Sequence, residues 1–263
     1  MVRVLHIVTN MDRGGLETML MNYYRHMDRS KVQFDFIEHR MERAAYDDEI
    51  ENLGGRIYRL PRLNPISVNY YRALNVFFKE HPEYKIVHSH LDCMSAYPLR
   101  AAKNAGIPVR IAHAHSTFQD RDWKLIFKSI SKRWIRYFVT DLFACSKAAG
   151  KWMFGTTNVN VLPNAIDVSK YVFNSTIREE IRKELNLGST FVVGHVGRFS
   201  TVKNHTFLLD VFKALTTSCP YARLLLVGDG EIRKEMENKA VALGIRDKVL
   251  FTGVRTDVDR LLQ

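Results

Sequence analysis

Val2-Arg3-Val4-Leu5-His6-Ile7-Val8-Thr9 runs through Asn10-Met11-Asp12-Arg13 into Gly14-Gly15-Leu16-Glu17, and the reading of this stretch decides the fold. Its first eight residues read as a β-strand. The amphipathic segment Glu17–His26 beyond the glycines reads as a helix. A secretory signal would carry its apolar run further, whereas here Asp12-Arg13-Gly14 interrupts it. Strand, glycine turn and helix in that order form the opening unit of a parallel α/β sheet.

Working outward, the same alternation continues. Gln33–Glu38, Arg56–Leu60, Lys85–Ser89, Val109–His113, Leu142–Cys145 and Val159–Leu162 read as strands. Between them Val68–Glu80, Met94–Asn104 and Asp122–Phe138 read as helices, the second closed by Gly106 and Pro108. The pattern pauses near Pro163-Asn164-Ala165-Ile166-Asp167 and then starts afresh. Helix Ile177–Leu187 precedes strand Phe191–His195, helix His205–Thr217, strand Arg223–Val227, helix Ile232–Leu243 and strand Lys248–Phe251. The prediction is an α/β protein with two Rossmann-like, doubly wound parallel sheets, in domains spanning 1–168 and 169–263. About 120–150 residues make a complete domain of this kind, so the second is expected to be incomplete. Its first strand, apolar on both faces, would then lie at a sheet edge, to which it is poorly suited.

Composition narrows the class. With 46% hydrophobic and 25% charged residues among 263, the chain is globular, and no apolar run reaches the roughly 18 residues of a membrane span. Three cysteines, Cys93, Cys145 and Cys219, are too scattered for a disulfide framework or a metal pair, which fits a reducing cytoplasm. The net charge of +11, most of it in residues 1–175, points to a polyanionic partner: nucleic acid, anionic lipid or a phosphate-bearing substrate. No nucleic-acid-binding motif accompanies it.

Five motifs could carry chemistry. Gly14-Gly15 opens a helix after a strand, where a backbone can approach an anion; a plain tight turn would look the same. His88-Ser89-His90 and His113-Ala114-His115 each close a predicted strand, and residues two apart share a face, so four imidazoles could converge. Zinc could bind such a set, but no Asp, Glu or Cys stands at ligand spacing. The plainer reading packs His88 and His113 in the sheet and gives His115, or else His90, a polar task at its edge. Val196-Gly197-Arg198 and Lys203-Asn204 flank a turn where Arg and Lys could hold a diphosphate, or could be solvated cations. Val227-Gly228-Asp229-Gly230 is a similar turn expected beside it. Lys124, Lys128, Lys132 and Arg136, with Arg133 alongside, form a cationic row on a helix carrying Leu125, Ile126, Ile130, Trp134, Ile135, Tyr137 and Phe138. Such a helix suits an anionic bilayer or a core-packed surface position.

Together these motifs resemble the retaining glycosyltransferases of family 4 (group 1), whose GT-B fold sets two Rossmann-like domains face to face. The resemblance runs along the whole chain. It rests on Gly14-Gly15-Leu16-Glu17, Val161-Leu162-Pro163-Asn164-Ala165-Ile166-Asp167, the Val196–Asn204 turn and Val227–Gly230. His113-Ala114-His115-Ser116 and Phe143-Ala144-Cys145-Ser146 look like enzymes of exopolysaccharide or capsule synthesis.

The resemblance implies that Gly14 and Gly15 offer backbone contact to a nucleotide-diphosphate sugar. It makes His115 the histidine that hydrogen-bonds the transferred sugar. Arg198 and Lys203 would hold the diphosphate and stabilise it as leaving group. Gly197, Gly228 and Asp229 would shape the donor site, and Gly253, Val254 and Arg255 would lie against the nucleobase. It also implies a metal-independent reaction without cofactor, in keeping with a sequence read as showing no D-x-D metal motif, and front-face retention for which no nucleophile is nominated. The acceptor would be a lipid-linked saccharide or oligosaccharide, and the location cytoplasmic, peripheral to the inner face of the membrane. The family's E-x7-E motif lies beyond residue 263, so this chain alone is expected to transfer little sugar. A non-catalytic membrane- or assembly-binding fragment and a nucleotide-sugar epimerase of the same architecture are the rival readings.

Overall fold

Parallel strands buried on both faces must be apolar along their length, and the first strand shows the consequence: Leu5, Ile7 and Val8 are wholly buried. The computed structural model describes residues 1–117 and 125–263, the side chains of 125 and 126 excepted. It divides into two compact units, Met1–Ile166 and Asp167–Gln263.

The first unit contains β1 (Val2–Val8), α1 (Gly15–His26), β2 (Val32–Glu38), α2 (Asp47–Asn52), β3 (Ile57–Arg59) and α3 (Val68–Glu80). There follow β4 (Ile86–Ser89), α4 (Ala96–Asn104), β5 (Val109–Ala114), α5 (Leu125–Trp134), β6 (Asp141–Ala144), α6 (Lys147–Phe154) and β7 (Asn160–Val161). All strands are parallel, in the order β3-β2-β1-β4-β5-β6-β7. The order reverses between β1 and β4, the switch point where open α/β sheets bind ligands beyond the carboxyl ends of their strands.

Alternation assigns the faces. Leu5, Ile7, Ile37, Val87, Ala112 and Ala114 pack with Tyr70, Leu74 and Phe77 of α3, Leu99 of α4 and Met153 of α6. On the opposite face Val8 and Phe36 pack with Met19, Leu20 and Tyr24 of α1. His6 pairs in register with Phe36 on one side and His88 on the other, so these histidines share the α1 face.

The second unit contains α7 (Ser175–Glu184), β8 (Val192–Val196), α8 (His205–Ser218), β9 (Arg223–Val227), α9 (Arg233–Ala242), β10 (Val249–Gly253) and α10 (Val258–Leu261). Its parallel sheet has the order β10-β9-β8. Leu209, Phe212, Leu224, Leu226, Met236 and Val249 form its core. β8 lies at an edge of that sheet and is nowhere fully buried, with Val196 43% exposed. Arg260–Glu180 and Arg255–Glu184 pairs, at 2.9 and 2.8 Å, tie the end of the chain to α7.

Three differences from the sequence reading have local causes. The helix expected over 94–104 begins as a 3-10 turn at Asp92–Ser95, because Asp92 takes a left-handed φ of 45°. The helix expected over 122–138 gives way to a 3-10 turn at Ile135–Tyr137, and its residues 122–124 lie outside the described ones. α6, unread from the sequence, is bounded by Ser146, whose hydroxyl accepts from the Ala149 N–H, and by Gly155 at φ 68°.

Candidate active site

The loop from β1 to α1 is braced by its neighbours. His39 N–H donates to Thr9 O at 2.9 Å, Met11 N–H to Glu38 Oε1 at 3.1 Å and Tyr46 N–H to Met11 O at 3.0 Å. Glu38 and Asp47, both fully buried, share Arg59. Burial first, and then the nearby Asp47, push the Glu38 carboxyl up to about 7. This acidic brace escaped the sequence reading, since nothing in the spacing of residues 38, 47 and 59 joins them.

The brace presents Gly14 as the extended N-cap of α1 and Gly15 as its first residue. A side chain at Gly14 would meet the Glu17 carboxylate, whereas one at Gly15 would meet nothing within 4 Å. Packing within the protein therefore does not demand glycine at position 15. Close approach by something outside the chain would.

On the α1 face of the sheet lies a layer of five imidazoles: His6, His88, His90, His113 and His115. The first four are at most 7% exposed. His6 Nδ1 lies 2.9 Å from His90 Nε2, and His90 Nδ1 lies 2.9 Å from His115 Nε2. His88 Nε2 and His113 Nδ1 form a second pair at 3.2 Å. Phe36 stacks on His6, and Phe143 closes the other flank against His88 and His113. His115 N–H donates to Asp92 Oδ1 at 2.9 Å, a partner that sequence reading did not supply.

Burial is the leading cause that drives every one of these rings toward neutrality. His6 is pushed down to about 3, His113 to about 2 and His115 to about 4. His88 and His90 fall well below the ordinary imidazole value, with repulsion from neighbouring imidazoles adding to the effect of burial. The layer joins the four histidines of the two H-x-H motifs and adds His6, which only the strand register reveals.

In the second unit three glycine turns interlock at the carboxyl edge of the sheet. Gly197 N–H donates to Val227 O at 2.9 Å, Gly228 N–H to Gly253 O at 2.8 Å and Phe199 N–H to Asp229 O at 2.9 Å. A Cβ at Gly228, whose φ is 134°, would sit 2.2 Å from the Gly197 carbonyl oxygen, and one at Gly230 2.4 Å from that of Phe199. The backbones there meet more closely than any side chain permits.

Lys203 folds its methylenes over Gly197 and has no carboxylate partner among the described residues. Arg198, 74% exposed in its side chain, meets Glu231 at 3.1 Å, and Asp229 pairs with Arg233 at 2.7 Å. Val254 is exposed, while Arg255 is engaged by Asp257 at 2.7 Å as well as by Glu184. One expectation needs correcting: Asp120-Arg121-Asp122, outside the described residues, and Asp257-Val258-Asp259 both spell D-x-D. In the second triplet the Asp257 carboxylate is held by Arg255 and stands N-terminal to α10.

The cationic row on α5 is differently disposed from the sequence reading. Lys124 lies outside the described residues. Lys132 Nζ sits 3.9 Å from the centroid of the Trp152 ring, and Arg136 donates to the Phe154 carbonyl, so both turn toward α6. Lys128 is half-buried. Ser129, Ile130, Arg133, Trp134, Arg136 and Tyr137 are exposed, and Ile130, Arg133, Trp134 and Tyr137 are spaced as one helical face.

Two parallel sheets, each with polar side chains or glycine turns at the carboxyl ends of its strands, make the chain a Rossmann-like α/β protein of two units. Residues 13–170 match Glycosyltransferase Family 4 and residues 177–263 match the group 1 glycosyl transferases. The chain belongs to this glycosyltransferase family. It is 37% identical to the putative glycosyltransferase EpsF of Bacillus subtilis, over 99% of this chain and 71% of that protein. It is 27% identical to the capsular polysaccharide biosynthesis glycosyltransferase CapH of Staphylococcus aureus, over 82% of this chain and 58% of that one. Among solved structures, Anabaena HepE in complex with UDP and glucose superposes with a TM-score of 0.80 at 19% identity, over 99% of this chain and 72% of that chain, a likeness of fold.

The glycines separate structural from ligand constraints. Gly228→Ala should destabilise the chain by about 1–3 kcal/mol, through strain at a positive φ and the clash with Gly197 O. Gly15→Ala should be neutral or add up to about 1 kcal/mol, because Ala is the better helix former. Urea unfolding followed by circular dichroism checks both; equal effects would remove the distinction.

Proposed function

We propose that the chain belongs to an enzyme that transfers a sugar, with retention, from a nucleotide-diphosphate sugar to a lipid-linked saccharide during cell-surface polysaccharide synthesis. The observation that carries this reading is the interlocked edge formed by Gly197, Gly228 and Gly253, with Arg198 and Lys203 standing over it. A diphosphate needs close backbone approach and cations of two kinds: a planar fork and a mobile point charge. Glu231 holds Arg198 only through an exposed ion pair, of a kind worth about 0–1 kcal/mol, which a diphosphate readily displaces.

In this reading Arg198 and Lys203 take up the charge that develops on the departing diphosphate, so the step needs no metal or cofactor. Gly14 and Gly15 border the donor, and His115 hydrogen-bonds the transferred sugar. Gly253, Val254 and Arg255 flank the base. The UDP and glucose bound by HepE, and the polysaccharide roles in the name of CapH, support the donor and product classes.

Isothermal titration of the chain with UDP, UDP-glucose and GDP-mannose tests the donor assignment. Arg198→Ala and Lys203→Ala should each weaken binding about 10–100-fold, the worth of a charge-assisted hydrogen bond. Unchanged affinity in both variants would refute it. Conversion of the bound donor to an isomer or free sugar without an acceptor would favour the epimerase reading instead.

A second, compatible reading concerns α5. Ile130, Trp134 and Tyr137, exposed beside Arg133, suit the interface of an anionic bilayer at the cytoplasmic face. Vesicles containing phosphatidylglycerol should sediment the chain in a salt-sensitive way, and a double Arg133→Glu, Trp134→Ala variant should largely abolish it. Equal sedimentation of the variant, or of the wild type with purely zwitterionic vesicles, would contradict the reading.

A further inference from the structure

The brace beneath the β1–α1 loop holds more carboxylate than its one guanidinium can neutralise. Glu38 closes β2 and Asp47 opens α2, and both are fully buried. Arg59 of β3 donates to Asp47 Oδ2, which also accepts the Ala44 N–H at 2.9 Å. The same guanidinium stands 3.8 Å from Glu38 Oε2, beyond hydrogen-bond range. Glu38 keeps a single donor, the Met11 N–H at its Oε1. Glu38 Oε2 and Asp47 Oδ1 are left buried without a partner, and Arg59 Nε, also unpartnered, bonds to neither.

Fully ionised, the trio would carry a net negative charge and two orphaned acceptors away from water, a costly state. A single proton removes both faults. The two carboxyls lie within hydrogen-bonding reach of each other. A proton on Glu38 Oε2 donates to Asp47 Oδ1, leaves Glu38 Oε1 to accept from Met11, and reduces the trio to one carboxylate facing one guanidinium. The existing partners choose its owner. Asp47 is held in its ionised form by Arg59 and a backbone donor, whereas Glu38 has a backbone donor alone. Among the described residues Asp47 and Arg59 are the charged groups that face Glu38. His39, next in the chain, turns instead to Val8 O and the Tyr70 hydroxyl.

This pair is tied mechanically to the loop. Met11 is wholly buried; its N–H goes to Glu38, and its carbonyl accepts the N–H of Tyr46, the neighbour of Asp47, at 3.0 Å. The Ala45 N–H reaches on to Asp12 Oδ1 at 3.2 Å. Repulsion between Glu38 and Asp47 would therefore pull on Met11 from both sides, just ahead of Gly14.

We propose that Glu38 is a proton-bearing positioning residue: the proton it shares with Asp47 closes the ends of β2 and α2 around Met11 and so fixes the loop that leads into Gly14-Gly15. Its bearing on the sugar donor rests on the assignment of those glycines under the proposed function. Burial, and then Asp47, raise the Glu38 carboxyl to about 7, so the brace is closed in acid and loosens as pH rises through neutrality. In the unfolded chain Glu38 ionises near 4.5, so the stability that the proton lends is complete below that pH and is lost as pH rises through about 7.

Carbon-13 NMR of the chain labelled at the glutamate carboxyls, with nitrogen-15 at the Met11 amide, reads both ends of the link without any donor present. Glu38 should titrate near 7, and the Met11 amide should move with the same midpoint. Glu38→Gln, whose amide donates to Asp47 while its oxygen accepts from Met11, should hold the Met11 signal at its acid position throughout. Asp47→Asn, which leaves Arg59 to Glu38 alone, should return the Glu38 midpoint toward 4.5. If Asp47→Asn does not fold, Glu38→Gln, which preserves both hydrogen bonds, carries the test. A wild-type Glu38 midpoint near 4.5, an unmoved midpoint in folded Asp47→Asn, or a Met11 amide that still titrates near 7 in Glu38→Gln would overturn the proposal. Donor binding is not involved, so these outcomes are separable from those of the Arg198 and Lys203 variants, which bear on the function itself.

Discussion

Parallel strand pairing is the constraint from which the rest follows. It brings the carboxyl ends of β1, β4 and β5 to one edge and puts every second residue of each on one face. The register that sets His6 beside His88 carries His90 and His113 onto the same face, and His115 one step beyond. A shift of a single residue in β4 would turn its histidines into the apolar layer with Val87 and disperse the cluster. The imidazole layer is thus a consequence of topology rather than of any one motif.

Burial then determines what the layer can do. Five charged imidazoles cannot coexist in so small a volume beneath phenylalanines, so the rings are neutral and spend their polarity on one another. The second unit solves a different problem at the corresponding edge of its own sheet. There Gly197, Gly228 and Gly253 bring backbones together, and the charge is left on mobile, exposed side chains. One unit presents neutral donors and acceptors, and the other presents cations.

Much of this was legible in the sequence. Strand–helix alternation gave the parallel architecture, because buried strands and amphipathic helices have distinct periods. The H-x-H pairs showed that imidazoles could gather, and the glycine turns announced close backbone contact. What escaped was set by tertiary register. His6 sits in β1 as an apparently ordinary strand residue, and Glu38, Asp47 and Arg59 come from three separate elements. On α5 a spacing of four correctly grouped Lys132 with Arg136. Only the packing of α6 showed that Lys132 and Arg136 reach toward it, while Ile130, Trp134 and Tyr137 stay exposed. The D-x-D triplet at 257–259 makes the complementary point, since a motif can be present and still serve as an ion-pair anchor.

Neutral, mutually bonded histidines at the switch point of the first sheet are the centre of this account, and a residue-resolved titration of their ring nitrogens measures that property most directly. The account expects all five to stay unprotonated from neutral pH downward until the pH approaches about 4, where His115 first accepts a proton. Titration of His6, His88, His90 or His113 near the ordinary value of about 6.5 would show a solvated, charge-tolerant cluster and contradict it.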